Sequence, residues 1–412
     1  MILIEKPIIQ QKENLIYLSA HYKDDVSGID TDIWYRTTSE WGEYFTDDLA
    51  DAFVLLALLP AIKSGQNIKV YGGVISSDLR YRLDTSLLYL FHHLYNADYQ
   101  HTISIETDGT TDIEYHGNAV ACGCSLGVDS LSAIKRHCDK NIPAPFHLTH
   151  LTFFNIGALG EHNLVEANQD FKKEFPVIKS FANRLGLPLV TIESNSSLIF
   201  SKDFDFENTH TLRNVCTVLS MQKLFGKYFY ASSYPFDNTK VSYESMSYMD
   251  AFLLPLLSNK NVTFYLADGD KTRIQKTEYI ASDAISQDYL YVCWKDIFSN
   301  GHPSYRKEMD SIPFRNCTRC DKCLRTALTL DILGVLNSYS KLFDIEYYST
   351  QKQSYIYQVL SQRGDNPMYA QIASLIDTIG YNYPKMVKYK LWAKKLHLLW
   401  LWNSLRLLLG RS

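Results

Sequence analysis

The sequence predicts an α/β fold, a parallel sheet covered by helices on both faces, from three observations. From about residue 116 onward, short apolar strand-like runs alternate with helix-like segments. A small-residue turn, Cys122-Gly-Cys-Ser-Leu-Gly-Val-Asp-Ser130, joins the first of those runs to the first helix. The chain has 412 residues, 46% apolar and 21% charged, which is enough for a full-sized core and suggests two or three domains.

The first 115 residues read as a small mixed α/β domain. Asp47 to Ile62 is a helix candidate with acidic residues in its first turn and apolar side chains beyond. Asn67 to Ile75 reads as a strand interrupted at Gly72-Gly73. No catalytic constellation stands out in this part. The alternation then begins with a strand over 118–123 and a helix from Val128 to His137. It continues with strand His150–Asn155, helix Phe175–Leu185, strand Leu187–Glu193, helix Thr209–Phe225 and strand Tyr228–Ser232. In sheets of this kind ligands bind outside the carboxyl ends of the strands, so the turn after Cys122 is where chemistry is expected. This second domain is drawn over 116–330, and 331–412 is a helical region.

Charge is unevenly spread. Seven of the 41 basic residues lie in 385–412, which has no acidic residue, leaving 34 basic against 45 acidic and a balance of −11 for the rest. The acidic body argues against nucleic acid as a partner. The basic, Leu/Trp-rich end reads as an amphipathic helix. It either packs on the protein or meets a membrane surface or a protein partner. No run of about 18 uncharged apolar residues occurs, and Met1-Ile2-Leu3-Ile4-Glu5-Lys6-Pro7 lacks the pattern of a secretory signal. A cytoplasmic location is expected. The sequence is compatible with a homodimer without specifying one.

The turn over 122–130 supports two chemical readings besides a tight turn without a ligand. As Gly123-x-Ser125-x-Gly127 it matches the nucleophile elbow of α/β-hydrolases, with Ser125 attacking a carbonyl. That reading needs a downstream acid and then a histidine, for which His210 and His302 are available. As Ser125-Leu-Gly-Val-Asp-Ser130 it resembles the phosphate-binding signature of the PP-loop ATP pyrophosphatases, and it then also uses Asp129 and Ser130. Small residues let backbone N–H groups wrap a pyrophosphate at a helix N-terminus. Leu126 stands where that family has glycine. Its Cβ penalises a positive φ and crowds a phosphate near the backbone, so an altered loop or weakened nucleotide binding is expected.

Cys317-x2-Cys320-x2-Cys323 places three thiols in one compact turn, and Cys293, in Leu290-Tyr-Val-Cys-Trp294, is the candidate fourth ligand for tetrahedral zinc. An iron–sulfur cluster shares the C-x2-C-x2-C spacing, but its continuation x3-C-P is missing here. Together, the turn at 125–130, Cys293 and the cluster at 317–323 make residues 116–330 resemble the 7-cyano-7-deazaguanine synthase family. The phrase Asn316-Cys-Thr-Arg-Cys-Asp-Lys-Cys-Leu-Arg-Thr326 looks like a divergent member of it.

The resemblance implies a Rossmann-like, adenine nucleotide α-hydrolase-like core and an AMP-forming carbon–nitrogen ligase. Such an enzyme adenylates a small-molecule carboxylate for attack by ammonia or an amine, using ATP, Mg²⁺ and a structural Zn²⁺. Carried over by position, Ser125, Leu126, Gly127, Val128, Asp129 and Ser130 form the pyrophosphate cradle, with Asp129 near Mg²⁺. Lys276 resembles the family's phosphate-contacting lysine. Arg273, three residues earlier on the same helix face, joins it, although the pair also reads as a solvated helix face. Ser232 and Ser233 stand where adenine or substrate is expected. His210 and Arg213 share a helix face, with His210 read as a satisfied core histidine. Competing readings are PP-loop tRNA thiolation with reactive cysteines near the loop, a degenerate nucleotide-binding scaffold, and the Ser125 hydrolase.

Overall fold

The computed structural model describes residues 1–95, 102–159, 163–200, 204–293 and 312–396. The chain divides into two compact units, one of residues 1–125 with 133–270, the other of 126–132 with 271–412.

The first unit is built on strands β1 (Ile2–Glu5), β2 (Ile8–Lys12), β3 (Leu15–Asp24), β4 (Asp30–Thr38), β5 (Ile68–Tyr71), β6 (Ile75–Ser76), β7 (Ile105–Glu106) and β8 (Thr110–Thr111). These are followed by β9 (Ala119–Gly123), β10 (His150–Asn155), β11 (Leu189–Ser194), β12 (Phe225–Ala231) and β13 (Thr263–Ala267). Eleven of them form one sheet in the order β13-β12-β9-β10-β11-β4-β3-β1-β5-β7, with β2 on β3. The stretch from β13 to β11 is parallel throughout. Ala119 to Cys122 are buried, the continuous apolar run that a strand covered on both faces requires. The expected parallel α/β core is therefore present.

The sheet does not stop at residue 115. β4 pairs antiparallel with β11, Arg36 opposite Glu193 and Tyr35 opposite Ser194, and the Arg36 guanidinium reaches the Glu193 carboxylate at 3.1 Å. The N-terminal strands thus extend the same sheet, antiparallel from β11 through β4 and β3 to β1 and parallel from β1 to β5 and β7.

Helices of this unit are α1 (Ser39–Gly42), α2 (Asp51–Ser64), α3 (Ser77–Arg82), α4 (Leu88–Tyr95), α5 (Val128–His137), which begins in the 126–132 segment, α6 (Leu164–Leu185), α7 (Phe206–Leu219) and α8 (Asp250–Leu257). α2 is buried along its whole length from Asp51 to Ile62. α6 starts eleven residues earlier than the sequence pattern suggests. Asn163 caps it by accepting from Val165 and Glu166, and Pro176, which suits a helix start, lies inside it. α7 stops at Leu219 rather than Phe225, and β12 begins at Phe225. Its register shifts between Phe225 and Lys227, and Gly226 allows this: a Cβ there would sit 2.3 Å from the Gly117 carbonyl oxygen.

The second unit is helical, as expected for the C-terminal region: α9 (Arg273–Ala281), α10 (Ala284–Tyr289), α11 (Asp321–Ile332), α12 (Ile345–Ser361), α13 (Pro367–Ile379) and α14 (Lys385–Lys395). The basic end of the chain beyond Leu396, and His302, lie outside the described residues. Among the described residues no helix is long and apolar enough to cross a membrane.

Candidate nucleotide and metal sites

Reading from β11 to β13, the parallel strands are third, second, first, fourth and fifth in chain order. Connections therefore leave β9 in both directions, and the crevice outside its carboxyl end is the switch point where such sheets bind ligands. The turn 124–127 occupies that end. Cys124 donates its N–H to the Thr152 carbonyl at 2.8 Å, and α5 starts at Val128, with Leu131 N–H on the Gly127 carbonyl at 2.9 Å. Ser130 Oγ donates to the same carbonyl at 3.1 Å. Ser125 is exposed, Gly127 and Asp129 are half-buried, and Leu126, Val128 and Ser130 are buried.

Leu126 has φ +60°, the left-handed conformation that glycine adopts without penalty. The Cβ expected to penalise that conformation is accommodated. Its side chain is wholly buried and its carbonyl accepts from Tyr291 N–H at 2.8 Å. The backbone strain of about 1 kcal/mol is outweighed by burial of a leucine side chain, about 2 kcal/mol.

α9 opens with a capping box. Thr272 Oγ1 accepts from Gln275 N–H, and the Gln275 side chain accepts from Thr272 N–H. This fixed helix start projects Arg273 and Lys276 from one face onto Asp129. Arg273 holds Asp129 Oδ2, and Lys276 Nζ lies 3.4 Å from Oδ1. The Lys276 side chain has no exposed surface, which removes the solvated-face reading of this pair. The arrangement is a carboxylate and two cations at the first turn of α5, where the helix dipole also favours negative charge.

Ser232 follows β12, the strand beside β9, and is buried with its N–H on the Ala267 carbonyl at 3.0 Å. Ser233 is exposed. His210 is a core residue: its ring nitrogens meet the hydroxyls of Tyr230 (2.6 Å), Thr211 (3.1 Å) and Ser247 (3.0 Å). Burial, and secondarily the Arg213 charge, lower its pKa to about 4, so it is neutral near pH 7. Arg213 is itself fully buried, stacked over Phe200 at 4.4 Å with Nη1 on the Ile156 carbonyl. Near the loop, Cys122 and Cys124 are buried, and burial pushes the Cys122 thiol well above its ordinary value.

The four cysteines singled out in the sequence converge. Every Sγ of Cys293, Cys317, Cys320 and Cys323 lies within 4.8 Å of the others, and Cys317 and Cys323 are 3.8 Å apart. A disulfide would need sulfurs about 2.05 Å apart, whereas four thiolates around one ion at about 2.3 Å stand about 3.8 Å apart. The cluster thus fits a metal such as zinc. Local folding explains it. Thr318 takes φ +58° and turns the chain so that the N–H groups of Arg319 and Cys320 donate to Cys317 Sγ at 3.4 and 3.3 Å. Cys320 then stands at the N-cap position of α11, which carries Cys323 in its first turn. Hydrogen bonds from Cys293, Cys320 and Cys323 hold the Cys317 thiol far below its ordinary range. Donation toward Cys317 pushes Cys293 up, and burial does the same for Cys323.

Asn316 brings the distant ligand in. Its wholly buried amide accepts from Val292 N–H at 2.8 Å and donates to the Leu290 carbonyl at 2.9 Å, which clamps the extended segment carrying Cys293 beside Cys317. From the sequence alone, Asn316 is only the residue before the cysteine motif. The Thr272-x-x-Gln275 box was a legible helix-start signature next to Lys276.

Compared with known proteins, the chain matches no family model, no curated protein and no solved structure.

Proposed function

We propose that this chain is an AMP-forming ATP-dependent ligase of the PP-loop type, resembling the 7-cyano-7-deazaguanine synthases. The observation that carries the reading is the convergence of Arg273 and Lys276 on Asp129 at the first turn of α5. A substrate carboxylate oxygen attacks the α-phosphorus of ATP, and the bond to pyrophosphate breaks. The leaving pyrophosphate gathers charge that two cations, the N–H groups of 125–130 and the α5 dipole stabilise. Ammonia or an amine then attacks the acyl carbon and AMP departs. Asp129, which engages both cations through its two carboxylate oxygens, is the residue that would hold Mg²⁺, and the ion would supply charge neutralisation at the phosphates.

Zinc is the proposed occupant of the four-cysteine cluster. Four thiolates close a tetrahedral shell, so its role is to hold α11 and the Cys293 segment together rather than to meet substrate.

Incubation with α-labelled ATP, Mg²⁺, ammonia and a panel of carboxylic acids tests the reading. Labelled AMP with stoichiometric pyrophosphate supports it; labelled ADP overturns it. A nucleotide-binding scaffold is the second reading, carried by Leu126 in the glycine position of the loop. Calorimetric binding of ATP with no AMP formed under any acceptor would favour it.

A further inference from the structure

We propose that the outer face of α14 docks on an anionic lipid surface. This stands on unit-two residues alone and does not depend on the ligase reading.

α14 has an inward face and an outward one. Val387 and Ala393 are buried, Lys390 lies over the Tyr357 ring of α12 at 5.7 Å, and Lys394 Nζ donates to the Ser361 carbonyl at 2.7 Å. The helix is therefore anchored on α12. Exposed on the helix are Met386 (44%), at the edge of the anchored row of Lys390 and Ala393, and Tyr389 (57%), Trp392 (60%) and Leu396 (46%), which stand away from it. Their spacing of three, three and four residues makes one continuous apolar stripe. Lys385, Lys388 and Lys395 are exposed beside it.

A folded domain gains nothing by holding a Trp, Tyr, Met and Leu row in water, and such a patch marks a binding surface. Charge identifies the occupant. Residues 385–412 carry seven basic and no acidic side chains, in a chain whose remainder is net negative. Lysines flanking an aromatic and aliphatic stripe match a membrane interface, with Tyr389 and Trp392 at headgroup depth and the ammonium groups on lipid phosphates. After Leu396 the sequence remains rich in Leu and Trp, with Arg406 and Arg411 as its formal charges. A nucleic acid would use the lysines and stack on the rings but leave Met386 and Leu396 in water. A second copy packed symmetrically would oppose lysine to lysine.

The test is co-sedimentation of the full chain with vesicles of phosphatidylcholine alone and of phosphatidylcholine with phosphatidylserine. Partitioning at least about tenfold stronger to the anionic vesicles, weakened by salt, is expected. Trp392→Glu should lower it about tenfold, and Lys388→Glu with Lys395→Glu should abolish the preference for phosphatidylserine. Quenching of wild-type tryptophan emission by brominated acyl chains reads insertion without any variant. The proposal fails if the vesicles bind equally or not at all, or if single-stranded RNA binds more tightly than they do. It also fails if a dimer forms in lipid-free solution and Trp392→Glu dissociates it.

Discussion

Lys276 Nζ lies 3.4 Å from Asp129 Oδ1, across 147 residues of chain, with no part of the lysine side chain exposed. A buried ammonium is tolerated because that carboxylate, shared with Arg273, compensates it.

Removing the two members of this pair should therefore have unequal effects. Asp129→Asn strands the buried ammonium and should lower unfolding free energy by about 2 kcal/mol, discounted from the fully buried case because Asp129 is 20% exposed. Lys276→Met removes the buried charge itself and should cost less than about 1 kcal/mol. Urea midpoints of the two variants decide it; a larger loss for Lys276→Met would contradict the burial argument. Both variants should lose AMP formation under the proposed function.

Leu126 gives an inverted ranking. Alanine ordinarily disturbs a backbone less than glycine does. Here Leu126→Ala loses the buried side chain, about 3 kcal/mol, and keeps the penalty of φ +60°. Leu126→Gly loses the same contacts but sheds about 1 kcal/mol of strain. Glycine should thus be the more stable substitution, by thermal or chemical unfolding of the pair.

The four-cysteine cluster should bind one zinc per chain, read by elemental analysis of purified protein. Chelation or Cys320→Ser should lower the melting temperature by several degrees, because binding energy at a closed site is folding energy. Asn316→Ala touches no sulfur yet breaks two buried hydrogen bonds, about 2 kcal/mol. It should release zinc more readily while all four thiols remain. Retention of zinc equal to wild type would show that the clamp does not position Cys293.

Two core groups around Thr211 make stability depend on pH in opposite senses. The Thr211 hydroxyl donates to Asp250 Oδ1 at 2.7 Å and meets His210 Nδ1 at 3.1 Å. His210, lowered to about 4, stays neutral in the fold while an unfolded histidine takes up a proton below about pH 6.5. Its contribution is present at neutral pH and is lost as pH falls toward 4, by roughly 3 kcal/mol. Burial raises Asp250 to about 7, so the fold keeps a proton that the unfolded carboxyl has released. Its contribution is lost as pH rises toward 7. Relative to wild type, Asp250→Asn should gain roughly 3 kcal/mol between about pH 5 and about pH 8 in denaturant titrations. A pH-independent difference would place the Asp250 charge elsewhere.

Much of the core was legible because periodicity and chemistry agreed there. α5 and β10 fall where the apolar pattern puts them, and the cysteine spacing pointed to its own geometry. What escaped depends on partners far along the chain. The register shift at the start of β12 depends on Gly226 meeting Gly117, 109 residues earlier. The left-handed φ of Leu126 is sustained by burial and by Tyr291, neither visible in a local window. For Lys276 a solvated helix face stood level with a phosphate contact, because the burial imposed by Asp129, far along the chain, is not legible locally.

The antiparallel seam between β4 and β11 has a consequence for engineering. Without residues 1–115, β11 would become an edge strand of a parallel sheet, its unpaired N–H and C=O groups at Glu193 and Ser194 open to another chain. The N-terminal strands thus serve the parallel sheet as a built-in cap against intermolecular strand addition, and an isolated 116–330 fragment should self-associate.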